Sequence, residues 1–108
     1  MSIVPRQLVW YEVISYVRSQ ILKTLLEMMR VDNFDSITIS RLTAKAEVGR
    51  ASFYRNYQTK EDVLRQEAER LNNELNDIRR NDDPNDYRLK LLRTLDFYKA
   101  NSDFYMTI

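Results

Sequence analysis

Apolar residues recur through the first third of the chain at the three- and four-residue intervals of a helix. Trp10, Val13, Ile14, Val17, Ile21, Leu25 and Met28 form one stripe, and Leu22, Leu26 and Met29 widen it. This periodicity predicts one long helix from Val9 to Val31, with a candidate interruption near Tyr16. Pro5 suits its approach or first turn, and Asp32-Asn33 suits its end. Phe34 and Ile37 are placed to fold back against it. Met28 and Met29 read as core filling rather than as a cofactor feature.

Two shorter helices follow. Thr38 is a fitting N-cap for a helix through Ala46, with Ile39, Leu42 and Ala46 inward. Arg41 stands where a reciprocal capping box needs Glu or Gln, and an arginine in a first turn slightly opposes the helix dipole. Glu47-Val48-Gly49 separates this helix from a second one over Arg50 to Tyr57, and Val48 plugs the angle between them. Phe53 is the inward anchor of the second helix, while Arg50, Ser52, Tyr54, Arg55 and Asn56 take its exposed aspects. Two short helices joined by so brief a break have helix-turn-helix proportions.

Thr59-Lys60-Glu61-Asp62 then opens a further helix. Thr59 caps it, Asp62 takes the third helical position of a short-armed capping box, and both acids favour the positive helix end. The helix continues to Arg80 with Leu64, Ala68, Leu71, Leu75 and Ile78 on one stripe, either a core face or a seam against a partner helix. The segment NDDPND, Asn81 to Asp86, is a loop. A helix from Tyr87 to Ala100 offers Leu91, Leu92, Leu95 and Tyr98 for packing, and Asn101-Ser102-Asp103 starts another that has barely one turn before Ile108. Such a short helix cannot stabilise itself. The expectation is therefore that the chain is the front part of a longer protein or depends on a partner.

Composition supports an all-helical reading, because 108 residues with one glycine and two prolines lack the turn residues of an all-β or Rossmann-type fold. The length suits one compact domain rather than two independent ones. Hydrophobic residues at 44% and charged residues at 31% suit a folded chain. Cysteine and histidine are both absent, which excludes disulfides, thiolate or imidazole metal sites and histidine acid–base chemistry. Glu67 and Glu74 share a helical face, but nothing sets an acid–base pair in a cleft, so the chain does not read as an enzyme and implies no cofactor. No apolar run approaches the roughly 18 residues of a membrane span. Met1 to Trp10 has neither a basic cluster nor an apolar signal core, so a cytoplasmic location is expected.

Net charge is only +1, but its distribution is uneven. From Ile37 to Lys60 the bases Arg41, Lys45, Arg50, Arg55 and Lys60 face the single acid Glu47, while Glu61 to Asp86 holds nine acids and four bases. One stretch therefore suits a polyanion and its neighbour does not.

The segment from Ile37 to Val63 resembles the DNA-binding domain of TetR-family transcriptional regulators. The resemblance rests on the Thr38-started helix, the turn AEVG (Ala46 to Gly49), the helix text SFYRNY (Ser52 to Tyr57) and the opening TKED (Thr59 to Asp62). Upstream, Ile21 to Ile39 resembles the family's first helix and its return, and downstream LLRTLDFYKANSDFYMTI is similar to the start of the regulatory domain. The resemblance implies an all-α fold: a three-helix helix-turn-helix DNA-binding domain over residues 1–60, then over residues 61–108 a long connecting helix and the truncated start of the ligand-binding and dimerisation domain.

Carried over by position, the resemblance places DNA contacts at Thr38, Arg50, Ala51, Ser52, Tyr54, Arg55, Asn56, Tyr57 and Lys60. Thr38 and Lys60 fall at phosphate contacts, and Tyr57 takes the aromatic position that packs or meets the backbone. The chemistry suits these roles, since arginine matches guanine O6 and N7, asparagine can pair with adenine, and Tyr, Ser, Thr and Lys suit phosphate oxygens. Two residues depart from the family pattern. Glu47 stands where a turn glycine is common, and would be strained if left-handed; Gly49 replaces a capping serine. The implied function is sequence-specific operator binding by a homodimer on double-stranded DNA. A small-molecule effector would act through a C-terminal part of which only the beginning is in this chain. A helical protein-interaction module, or a degenerate regulator without specific DNA binding, is the alternative, and the acidic stretch Glu61 to Asp86 suits it.

Overall fold

The computed structural model describes residues 6–81 and 85–108, all helices and turns. Six α-helices run in chain order: α1 (Arg6–Met29), α2 (Ile39–Ala46), α3 (Arg50–Asn56), α4 (Lys60–Asn81), α5 (Tyr87–Ala100) and α6 (Ser102–Thr107). A single 3₁₀ turn, Phe34–Ser36, links α1 to α2. The all-α fold expected from the glycine-poor sequence is the fold observed. Pro5 and residues 82–84 of the expected loop lie outside the described residues. The chain divides into two compact units, Met1–Val63 and Leu64–Ile108.

In the first unit α1, α2 and α3 pack against one another. Ile21, Leu25, Met28, Ile37, Leu42, Phe53, Tyr57 and Val63 are buried, each large apolar side chain worth about 1.5–3 kcal/mol when fully withdrawn from water. The stripe of α1 is thus used only in its C-terminal half. Trp10, Val13 and Ile14, on the same line, are exposed, Trp10 at 61%. The helix is unbroken at Tyr16 and ends two residues before the expected Val31. There the hydrogen bonds tighten to Arg30 N–H on Glu27 O and Val31 N–H on Met28 O, and Asp32 N–H closes on Met28 O at 2.8 Å.

Thr38 caps α2 as its position suggests, its Oγ1 accepting from Arg41 N–H at 3.1 Å. Thr43 is buried although sequence placed only Ile39, Leu42 and Ala46 inward. Its hydroxyl donates to Ile39 O at 2.9 Å, so no polar group is left unsatisfied. Thr59 Oγ1 accepts from Asp62 N–H at 3.1 Å at the start of α4. The carboxylate of Asp62 accepts from Gln58 N–H, also at 3.1 Å. The return bond of this capping box thus reaches one residue before the cap rather than the cap itself.

In the second unit Leu71, Leu75, Phe97 and Phe104 are the buried apolar side chains. Two expectations need correction. Ala68, placed on the α4 stripe, is exposed. Leu91, Leu92 and Leu95, three of the four residues expected to pack from α5, are exposed, and Phe97 is buried instead; the fourth, Tyr98, is partly exposed but sets its ring 5.2 Å from that of Tyr105. The α5–α6 corner is held by close contacts. There Asn101 Nδ2 donates to Phe97 O at 2.9 Å, and the Phe97 and Tyr105 rings sit 6.4 Å apart edge-on. The buried side chain of α5 is thus one that meets the Tyr105 ring of α6. On the surface of α4, Arg70 bonds Glu67 at 2.7 Å and Glu74 at 3.2 Å. The hydrogen bond to Glu67 is the main reason its guanidinium holds its proton more tightly than usual.

Between α2 and α3, Glu47 adopts φ 58°, ψ 39°, the left-handed region. It is the one described non-glycine residue with positive φ. Its N–H still reaches Ala44 O at 3.3 Å, and Val48 N–H reaches Thr43 O at 3.1 Å. The turn closes α2 as a left-handed cap, in a conformation glycine adopts without steric cost. Replacing Glu47 by Gly should therefore stabilise the first unit by about 1 kcal/mol. Urea denaturation of the two proteins reads this as a higher midpoint at unchanged slope; an unchanged or lower midpoint would show that the turn carries no strain.

Candidate nucleic-acid interface

α3 has seven residues, and a helix this short does not form in isolation. Its position is set by Phe53, which has no solvent exposure. With about 100° between successive residues, Phe53 inward turns Ala51, Tyr54 and Arg55 away from the core, and Arg50, about 60° round the helix from Phe53, lies at the edge of the same exposed arc. All four are exposed, Tyr54 at 50%. Neither Arg50 nor Arg55 has a hydrogen-bond or ion-pair partner among the described residues. Two free guanidinium forks thus flank a small side chain and a phenol on one helix face.

Ser52 and Asn56 do not share that face. Both are half-buried, contrary to the expectation that they are exposed, and Asn56 Nδ2 donates to Ser52 O within the helix at 2.8 Å. Tyr57 follows α3 in extended conformation and caps it, its N–H on Phe53 O. It is buried, its ring 5.6 Å from that of Phe53 and 5.2 Å from the Arg18 guanidinium carbon. Of the two roles for this aromatic, the packing one is seen.

Thr38 is exposed at the start of α2. Its Oγ1 accepts from Arg41 N–H, which leaves the hydroxyl hydrogen to donate outward. Lys60 instead turns inward, its ammonium donating to Phe34 O at 2.6 Å and Ile37 O at 2.9 Å. Gly49 is the N-cap of α3 at φ −72°, ψ 151°, without a side-chain cap bond, and a Cβ there would meet nothing within 4 Å.

Sequence reasoning gave Arg18 no role, and read Arg41 as a base of the α2 first turn without its tie to the preceding turn. Arg41 donates to Asp32 Oδ2 at 2.9 Å and to Ser36 O at 3.3 Å, which ties α2 to the preceding turn. The Arg41 fork on Asp32 carried no sequence signal, because its partner lies nine residues back across the α1–α2 connection.

The contrast within α3 is testable. Phe53→Ala should destabilise the unit by about 3–5 kcal/mol, whereas Tyr54→Ala, half-exposed with its ring edge-on to Phe53 at 5.4 Å, should cost about 1.5 kcal/mol or less. Denaturation of both variants decides the point. A large loss at Tyr54 would mean that its ring is structural and not available to a partner.

No curated protein and no solved structure matches the chain. Residues 21–66, which span the C-terminal half of α1 through the start of α4, match the family model described as Bacterial regulatory proteins, tetR family. This segment is thus similar to the helix-turn-helix DNA-binding domain of the tetR family, and it contains α2 and α3 with the exposed arginines of α3.

Proposed function

We propose that the chain is the DNA-reading part of a transcription regulator and that α3 enters the major groove of an operator. The observation that carries this reading is the outward face of α3, where Arg50 and Arg55 flank Ala51 and Tyr54. Arginine forks are the commonest specific readers of guanine edges, and a small residue between them lets the helix approach the bases. Thr38 and Tyr54 suit phosphate oxygens, which position the domain without reading sequence. Asn56 and Ser52 act within the helix rather than at the bases, and Tyr57 holds the helix from behind.

The same reading includes a homodimer in the full-length protein, with two copies of α3 on the half-sites of a palindrome about one helical turn apart. A small-molecule effector acting through the C-terminal part and a cytoplasmic location belong to it as well. They are carried by likeness to the family, not by geometry.

The test is selection from a pool of random duplexes, followed by affinity measurement at several salt concentrations. The expected outcome is enrichment of one sequence and an affinity that falls steeply with salt. Arg50→Ala and Arg55→Ala should each cost about 1–3 kcal/mol on the enriched duplex and relax the preference at one base pair. Ala51→Glu should abolish binding while leaving the helix content unchanged. Absence of enrichment with the folded chain would refute the reading.

A further inference from the structure

The inward turn of Lys60 singles it out from the other basic residues of the segment. Its ammonium donates to two main-chain carbonyls, Phe34 O at 2.6 Å and Ile37 O at 2.9 Å, and sits 4.5 Å from the centroid of the Phe34 ring. That distance is within the range of a cation–π contact. Two of its three N–H donors are used inside the protein. The two carbonyls bracket the 3₁₀ turn, itself closed by Ser36 N–H on Asn33 O at 2.9 Å and Ile37 N–H on Phe34 O at 3.1 Å. Arg41 holds the same turn from the other side through Ser36 O. Ile37 is buried, and the next residue is Thr38, the exposed cap of α2.

We propose that Lys60 is a positioning residue, which clamps the Phe34–Ile37 turn to the first turn of α4 and thereby fixes the Thr38 hydroxyl for a DNA phosphate, rather than meeting phosphate itself. The inference rests on the DNA-binding reading above. It follows from donor bookkeeping: an ammonium bonded to two carbonyls and set over a ring gives up those bonds to swing outward, whereas Thr38 already faces solvent with its donor unused. The first turn of α4 and the start of α2 are thus one mechanical piece.

The experiment is a double-mutant cycle on the enriched duplex with Thr38→Ala, Lys60→Met and the pair, each measured across a salt series and each checked for helix content. Lys60→Met should weaken binding on the order of tenfold, the scale of one charge-assisted hydrogen bond. The double variant should lose little beyond the weaker single, because both changes remove the same contact. The salt slope of Lys60→Met should match that of Thr38→Ala. In the free protein, amide exchange at Ser36 and Ile37 should quicken in Lys60→Met and not in Thr38→Ala.

Losses that simply add, a slope reduced by about 0.9 beyond that of Thr38→Ala, and unchanged amide exchange would make Lys60 a direct phosphate contact and overturn the proposal. Should Lys60→Met fail to fold, Lys60→Gln, whose amide can still donate to one carbonyl, takes its place in the cycle with the same reading. If the unmodified chain enriches no sequence, it is the DNA reading that fails. Enrichment combined with additivity sinks only the role of Lys60.

Discussion

The burial of Phe53 governs this molecule's candidate interface. α3 is too short to hold itself, so its rotation about its own axis is decided by which side chain the rest of the unit accepts. Phe53 is fully enclosed where α1, α2 and α3 pack together. Tyr57 closes the same side, wedged between the Phe53 ring and the Arg18 guanidinium. Turn the helix by one residue and Phe53 swings toward water, Tyr54 is inside, and Arg50, one helical turn before Tyr54, is carried inward with it. The chemistry offered to a partner is therefore a by-product of hydrophobic packing on the opposite side.

The turn before α3 gives up some stability to hold that geometry. Glu47 takes a left-handed backbone that suits glycine better, and Gly49 caps α3 without a side-chain hydrogen bond. The two departures nearly mirror each other, since the residue best suited to the left-handed site stands two positions later, where the backbone is extended and needs no glycine. The turn still keeps its hydrogen bonds from Glu47 and Val48 to α2, so its path is preserved.

What could be read in the sequence was local. Thr38 and Thr59 cap helices within three residues of themselves, Phe53 occupies the one large apolar position of its helix, and the breaks after Ala46 and Asn56 fall where small or polar residues cluster. What could not be read depends on partners remote in the chain. Lys60 reaches Phe34 and Ile37, 26 and 23 residues earlier. Nothing in its neighbourhood separates an inward ammonium from an outward one. Asn56 has its partner close by, yet an asparagine on a short helix reads equally well as a reader of bases or as a bond to its own backbone. α5 misled for a different reason: its leucines outnumber Phe97, yet the side chain buried on it is the aromatic one beside Tyr105.

The half-used stripe of α1 has a practical consequence for anyone following this protein by light. Its one tryptophan, Trp10, lies on the exposed N-terminal half of α1, away from Phe53, Leu42 and Ile21. Indole emission will therefore start out solvent-quenched and red-shifted, and will change little when the three-helix core opens. Tyr57, enclosed beside a guanidinium, is the chromophore whose surroundings vanish with the fold. Tyrosine absorbance, rather than tryptophan fluorescence, is the optical signal that belongs to the helix-turn-helix.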